Sequence, residues 1–259
     1  MSAACPAAFV ELAHRLADAS GAIIRRHFRS GIAVETKPDR SPVTAADREA
    51  EQAIRRLLAE AVPEHGVIGE EFPAEREAAD HVWVIDPIDG TKAFITGKPL
   101  FGTLIALLER GRPILGVVDH PALGERWIGA AGQPTLLNGK PVTTRACAGL
   151  GAAALYASSP DMFTGEDWTR FRQVKERVRF AGWGSDCYAY GLLASGHVDL
   201  VVEADMGPHD YLALVAVVEG AGGRITDWQG RPLGLRSDGR VVAAGDARTH
   251  AEALALLGR

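Results

Sequence analysis

An α/β or α+β fold is predicted by three observations. Apolar residues recur at helical spacing near both ends of the chain. Between them lie short apolar runs closed by Gly, Pro or Asn-Gly. No linker, internal repeat or low-complexity tract interrupts the 259 residues, enough for one large core or two intimately packed halves.

The elements follow in order. Phe9, Leu12, Ala13, Leu16, Ile23 and Ile24 form a helical stripe from Pro6 to about Phe28. A second helix is predicted over Thr44–Glu60, opened by Thr44-Ala-Ala-Asp47, which fits a capping box. Strand-like runs follow at Val67–Gly69, Val82–Asp86, Thr103–Leu108, Ile114–Asp119 and Arg126–Ala130, and Asn138-Gly139 marks a tight turn. Beyond about residue 141 the pattern becomes strand (Ala153–Ala157), polar helix (Glu166–Glu176), strand (Val178–Phe180), helix (Asp186–Ser195) and strand (Val198–Glu203). A helix over Asp210–Glu219, strands at Gly223–Thr226 and Val241–Ala244, and a helix over Ala247–Leu257 complete it. Residues 1–140 thus read as an α+β half and 141–259 as an α/β half, with a soft boundary inside one compact unit.

Composition narrows the function. Net charge is −5, and no Lys/Arg block is long enough to grip a nucleic-acid backbone; Arg25-Arg26-His27 reads as a solvated helix face. The three cysteines are scattered, with no Cys-x-x-Cys pair, so neither a disulfide framework nor a zinc site is expected and a reducing cytoplasm is. The N-terminus lacks a basic segment before an apolar one, so no signal peptide is read there. No apolar run approaches the roughly 20 residues of a membrane span.

The chemistry concentrates in Trp83-Val-Ile-Asp86-Pro-Ile-Asp89-Gly-Thr91. A buried strand runs into two acids, and Pro87 and Gly90 are expected to turn the chain there. Both carboxylates and the Ile88 carbonyl can then face one spot, with Glu70-Glu71 closing an earlier apolar run. Two carboxylates about 4 Å apart repel by roughly 4 kcal/mol at an effective dielectric near 20, so clustered acids call for a cation. An all-oxygen set suits magnesium. A lone Asp-x-x-Asp-Gly is more often a plain turn; the whole string with Gly69-Glu70-Glu71 is far more specific. A second acidic point is Asp210, before an apolar helix, which taken alone reads as an N-cap.

These motifs resemble the inositol monophosphatase family, whose signature is an apolar strand running into Asp-Pro-Ile-Asp-Gly-Thr; the likeness extends from Lys37 through Gly223. The resemblance implies a layered αβαβα sandwich, a homodimer, and lithium-sensitive, magnesium-dependent hydrolysis of a small phosphomonoester by in-line attack of a metal-activated water. It implies that Glu70, Asp86 and the Ile88 carbonyl hold one magnesium and that Asp86, Asp89 and Asp210 hold a second. A third, weaker ion would sit by Glu70 through waters. Glu70, Asp47 and Thr91 are the catalytic residues implied. Thr91 would hydrogen-bond the water and Asp47 would accept from Thr91, a role compatible with helix capping by Asp47. Gly90 and Thr91 would cradle phosphate where a short helix begins, and Lys37 matches a loop position that adds charge near the metals. The first half would thus hold most ligands; the second would hold the substrate residues and the last ligand. Where relatives carry Trp before the last Asp, His209 stands here, as a ligand or as part of the pocket wall.

Substrate choice rests on Trp183-Gly-Ser185-Asp186-Cys-Tyr188 and on the run ending in Glu203. These resemble the bacterial histidinol-phosphate phosphatases of the superfamily. An acid in the pocket suits a substrate bearing an ammonium and an imidazole, whereas an inositol ring offers only hydroxyls. Asp186 has a second reading as a helix N-cap behind Gly184. Ser185, Asp186, Glu203 and Asp210 are the expected substrate residues, beside Gly90 and Thr91. The expected activity is hydrolysis of L-histidinol phosphate, in histidine biosynthesis. Inositol 1-phosphate, fructose 1,6-bisphosphate or a 3′,5′-bisphosphonucleotide are alternatives, and a non-catalytic regulator with the same fold is a more distant one. No nucleic-acid or membrane partner is expected.

Overall fold

The computed structural model describes residues 4–31, 33–36 and 42–258. The first layer is helices α1 (Ala7–His27) and α2 (Ala45–Ala61), joined through a small hairpin, β1 (Val34–Thr36) and β2 (Pro42–Thr44). The second is a seven-stranded sheet in sequential order. Its strands are β3 (Gly66–Gly69), β4 (His81–Asp89), β5 (Gly102–Glu109), β6 (Arg112–His120), β7 (Glu125–Ala130), β8 (Leu136–Leu137) and β9 (Lys140–Pro141). Within this sheet β3 and β4 pair in parallel and the other described pairs are antiparallel; helix α3 (Thr91–Ile95) lies between β4 and β5 in the chain. The second sheet contains β10 (Ala154–Ala157), β11 (Phe180–Trp183), β12 (Leu200–Glu203), β13 (Arg224–Thr226) and β14 (Val241–Ala244), ordered β11-β10-β12-β14-β13. Helices α4 (Gly165–Lys175), α5 (Tyr188–Ala194), α6 (Pro208–Gly220) and α7 (Ala247–Leu257) belong to this half.

Strand alternation assigns the layers. On β4, Trp83 and Ile85 pack on Leu12, Leu16, Ile54 and Leu58 of α1 and α2. Val82 and Val84 face the other way, onto α5, α6 and the inner residues Val201, Val241 and Ala243 of the second sheet. The alternating partners Val202, Val242 and Ala244 pack on Phe171 of α4 and Leu256 and Leu257 of α7. The order is therefore helix, sheet, helix, sheet, helix, the αβαβα sandwich that the resemblance implied. Each fully buried Leu, Ile or Val contributes about 1.5–3 kcal/mol.

The central helix α6 matters most for the site. Tyr211 through Val218 are all buried, as a helix between two sheets requires. Gly116 and Gly129 let it lie directly on the first sheet, since a Cβ at either would overlap the carbonyl oxygen of Ala213 or Ala216. This approach brings Asp210, near the start of α6, to the end of β4.

Several elements differ from expectation. Strand β11 begins at Phe180, not Val178. Its Gly182 packs so closely on the Tyr156 ring that a Cβ would stand 2.7 Å from it, and a glycine there hides the alternation. Helix α5 begins at Tyr188 because Gly184 and Asp186 hold φ of +78° and +45°. The capping box on α2 forms as expected: Thr44 Oγ1 accepts from the Ala46 amide, and Asp47 Oδ2 accepts from the Thr44 amide. The β1–β2 hairpin had no counterpart in the sequence reading. Among the described residues, no helix is long and apolar enough to cross a membrane.

Candidate active site

Strand β4 does not turn at Pro87; it continues to Asp89 and the turn comes at Gly90, with φ of +81°. Asp86 pairs opposite Leu104 and Asp89 opposite Gly102, so three steps on β4 span two on β5. In a regular strand, residues i and i+3 face opposite sides. The extra residue of the bulge reverses that parity and turns both carboxylates one way. Pro87 has no amide to leave unpaired, and its carbonyl accepts from Thr103 Oγ1 at 2.9 Å. Asp86 Oδ1 accepts from the Ile88 amide at 2.9 Å, and the Ile88 carbonyl accepts from Thr91 Oγ1 at 3.1 Å.

Asp210 joins them from α6. Asp86, Asp89 and Asp210 each offer a carboxylate oxygen within 4.8 Å of the others. Asp210 is the third residue of its helix and not the N-cap; that is Gly207, whose amide donates to Asp210 Oδ2 at 2.6 Å. His209 Nε2 lies 3.4 Å from Asp210 Oδ1. Burial and then Glu70, Asp89 and Asp210 push the Asp86 carboxyl well above its ordinary range. Asp89 is pushed up by burial, Asp186 and Asp210, against a 2.7 Å bond from the Cys187 amide. Asp210 is raised by burial, while His209 and the Gly207 amide pull it down.

Carboxylates crowded this way cannot all ionise without compensation. The donor set is oxygen only, and the buried Asp47 Oδ1 has no hydrogen-bond partner among the described residues. Asp86, Asp89 and Asp210 fit a hard divalent cation, and Glu70 adds the largest repulsion from a single charge on Asp86.

Other expected residues fall around this cluster. Asp47 does not accept from Thr91: its Oδ2 takes the Thr44 amide at 2.8 Å and the Thr44 hydroxyl at 2.6 Å, while Thr91 donates to Ile88. The capping reading of Asp47 therefore accounts for its bonds. Burial raises the Asp47 carboxyl, against the Thr44 bonds. Lys37 lies outside the described residues.

A cavity of about 140 Å³ opens beside the cluster, lined in part by Asp89, Asp186, Asp210, Glu203, Ser158 and Tyr190. Ser185, expected to bind substrate, is buried and does not line this cavity; its carbonyl accepts from the Tyr188 amide at 3.0 Å. Gly90 faces Asp186 so closely that a Cβ would stand 2.9 Å from Asp186 Oδ2. The cap of α5 is Cys187, with no side-chain bond, so Asp186 does not serve as an N-cap. Burial raises the Asp186 carboxyl, while Lys98 and Lys92 oppose the rise. The Lys98 ammonium itself donates to the Gly184 carbonyl.

Glu203 is held quite differently. Oε1 accepts from the Ser158 amide at 2.9 Å and from the Ser158 hydroxyl, and Oε2 accepts from Tyr190 at 2.8 Å. Burial nonetheless lifts its carboxyl to about 7. Ser158, Tyr190 and Lys98 had not been singled out. Ser158-Ser-Pro reads as a turn, Tyr190 as core, and Lys98 as a solvated loop residue.

Comparison with known proteins agrees with this arrangement. The inositol monophosphatase family profile matches residues 6–258. The chloroplastic bifunctional phosphatase IMPL2 of Arabidopsis thaliana is 50% identical over 255 residues, covering 95% of this chain and 74% of that protein. The histidinol-phosphatase of Chlorobaculum parvum is 38% identical, covering 90% and 91%. An inositol monophosphatase from Zymomonas mobilis superposes with a TM-score of 0.89 at 48% identity, covering 96% and 97%. Family, fold and acidic cluster together support a metal-dependent phosphatase of small phosphomonoesters: the chain belongs to the inositol monophosphatase family.

Proposed function

We propose that this protein is a magnesium-dependent phosphatase that releases phosphate from L-histidinol phosphate. The observation that carries the substrate is Asp186. Its half-buried carboxylate borders the cavity beside the acid cluster and has no hydrogen bond from the protein among the described residues. An ammonium or imidazolium would satisfy it with a charge-assisted bond, whereas a hydroxyl would do so only weakly. The names of three relatives at 35–38% identity, each a histidinol-phosphatase, point the same way.

Asp86, Asp89, Asp210, Glu70 and the Ile88 carbonyl would hold the magnesium. Bound there, magnesium neutralises phosphoryl charge and makes hydroxide available near neutral pH. Thr91 donates its proton to Ile88, so its oxygen lone pairs remain to accept from a water. Gly90, lacking a Cβ, lets the Asp186 side chain come close to the strand end. Asp47 supports Thr44 and the start of α2 behind the cluster. Glu203 shapes the far wall, with one accepting position left on Oε2. The three free cysteines support a reducing, cytoplasmic setting, and the family resemblance supports a homodimer.

Phosphate release should be compared on histidinol phosphate, inositol 1-phosphate, fructose 1,6-bisphosphate and adenosine 3′,5′-bisphosphate, with magnesium and with chelator. Histidinol phosphate should show the highest kcat/KM, and chelation should abolish all release. The inositol reading is favoured by the likeness to the Zymomonas inositol monophosphatase. A preference for inositol 1-phosphate would replace our assignment with that one.

A further inference from the structure

Glu51 lies on α2, outside the acidic cluster, yet its fully buried side chain grips the segment that carries Glu70. Oε2 accepts from the Glu71 amide at 2.8 Å, and Oε1 accepts from Arg55 Nε, one turn along, at 2.8 Å. Arg55 reaches past it. One terminal nitrogen donates to the Phe72 carbonyl at 3.1 Å and the other to Glu75 Oε1 at 2.9 Å, with the guanidinium 5.9 Å from the Phe72 ring centre. Just before Glu70, Gly69 packs so tightly on this pair that a Cβ would overlap the Glu51 carboxylate. A single helical turn thus holds the chain on both sides of Glu70.

Such a hold has an electrostatic purpose. Gly69 pairs opposite Ile85, so Glu70 follows at the Asp86 end of β4, and its charge is the largest repulsion on Asp86; without a cation the segment is pushed away from the cluster. A buried carboxylate such as Glu51 persists only where bonds offset its desolvation; here one goes to the Glu71 amide and the other to Arg55, which in turn holds the Phe72 carbonyl. We infer that Glu51 and Arg55 are positioning residues that hold the Glu70 carboxylate against Asp86 so that the magnesium site is formed before the ion arrives. This rests on the reading of Glu70 as a magnesium ligand.

The test is magnesium affinity, measured by calorimetry on the substrate-free enzyme, together with the melting temperature in chelator. Glu70→Gln should weaken binding. Arg55→Lys, which keeps the charge but loses the fork, should weaken it about 10-fold. Gly69→Ala, with no strained φ, should do the same by displacing Glu51, and it serves should the Arg55 variant not fold. The double variant Glu70→Gln/Arg55→Lys should bind no worse than Glu70→Gln alone, because both remove the same ligand. Normal affinity with a lowered melting temperature in Arg55→Lys and Gly69→Ala, or additive losses in the double variant, would make the pair a stability element and overturn the inference. Normal affinity in Glu70→Gln would instead remove Glu70 from the site, and the inference with it.

Discussion

The acids on the two sides of the cavity are held in opposite ways. Glu203, on the wall built by the second sheet, takes three hydrogen bonds from Ser158 and Tyr190. Asp86, Asp89 and Asp210, at the end of β4 and the start of α6, each take one backbone amide and otherwise face one another. Protein donors satisfy an acid that shapes a wall; acids that await a cation are left to repel. By this criterion Asp186 does not belong with its neighbour Glu203. It is half-buried, raised, and takes no hydrogen bond from the described residues, which groups it with the cluster; under the proposed function, the cation that pairs with it is the substrate's.

The comparison breaks most visibly at Asp86. Asp86→Asn should lower kcat/KM on any phosphomonoester by orders of magnitude, since the bulge aims this carboxylate at both Asp89 and Asp210. Removing a repelling charge should also leave the chelator-treated protein as stable as wild type or more so. Turnover near the wild-type rate, or a collapse of the fold, would show that the cluster is structural. Asp186→Asn sharpens the other half. Loss of one charge-assisted bond, roughly 1.5–3 kcal/mol, corresponds to a drop of about 10- to 150-fold in kcat/KM for histidinol phosphate. An ester without a cation, such as glycerol 2-phosphate, should be hydrolysed as before. Equal losses on both would mean that Asp186 acts only through the shape of the site.

The local features were legible in the chain, and those made by distant partners were not. Asp86, Asp89 and Thr91 announce themselves because strand, bulge and turn fall within nine residues of sequence. Even so, Pro87 and Gly90 suggested a turn at once, whereas the ladder continues to Asp89; a bulge and a turn share the same residues. The start of α6 was misplaced because a helix buried on every side has no apolar stripe to date its first turn. Asp210 therefore passed for a cap, when it stands at the third helical position. Glu51, Ser158 and Tyr190 carried no signal, since the groups they bond lie 20, 45 and 13 residues away. The layer order followed from family resemblance; strand alternation alone could not say which sheet α6 would cover.

A smaller effect probes the wall. Glu203 has a folded pKa of about 7 against an ordinary 4.5, so between these values the folded protein holds a proton that the unfolded chain has lost. Stability must therefore fall as pH rises through this window. For Glu203 the loss is on the order of 1–3 kcal/mol by pH 7.5. The cluster acids add to the slope in the same direction. The difference between wild type and Glu203→Gln, melted in chelator from pH 4.5 to 8, isolates the wall. Parallel curves would mean that Glu203 ionises freely and that its three donors already suffice.

The smallest effect distinguishes capping from chemistry behind the cluster. Thr44→Ala removes the hydroxyl that caps α2 and bonds Asp47; it should cost about 1 kcal/mol of stability and leave kcat nearly unchanged. Asp47→Asn weakens the same cap, since one amide oxygen still accepts from the Thr44 amide. It also alters the buried Oδ1 that has no partner among the described residues. If that oxygen takes part in the reaction, kcat should fall well beyond the Thr44→Ala value at equal stability, with KM little changed. If Asp47 is only the partner of Thr44, the two variants should share both melting temperature and turnover. The observed bonds favour this second outcome, because both Thr44 donors converge on Oδ2 and Thr91 turns its proton to Ile88. A rate loss confined to Asp47→Asn would then show that the site reorganises when substrate and magnesium bind, bringing Thr91 or a water to the oxygen left without a partner.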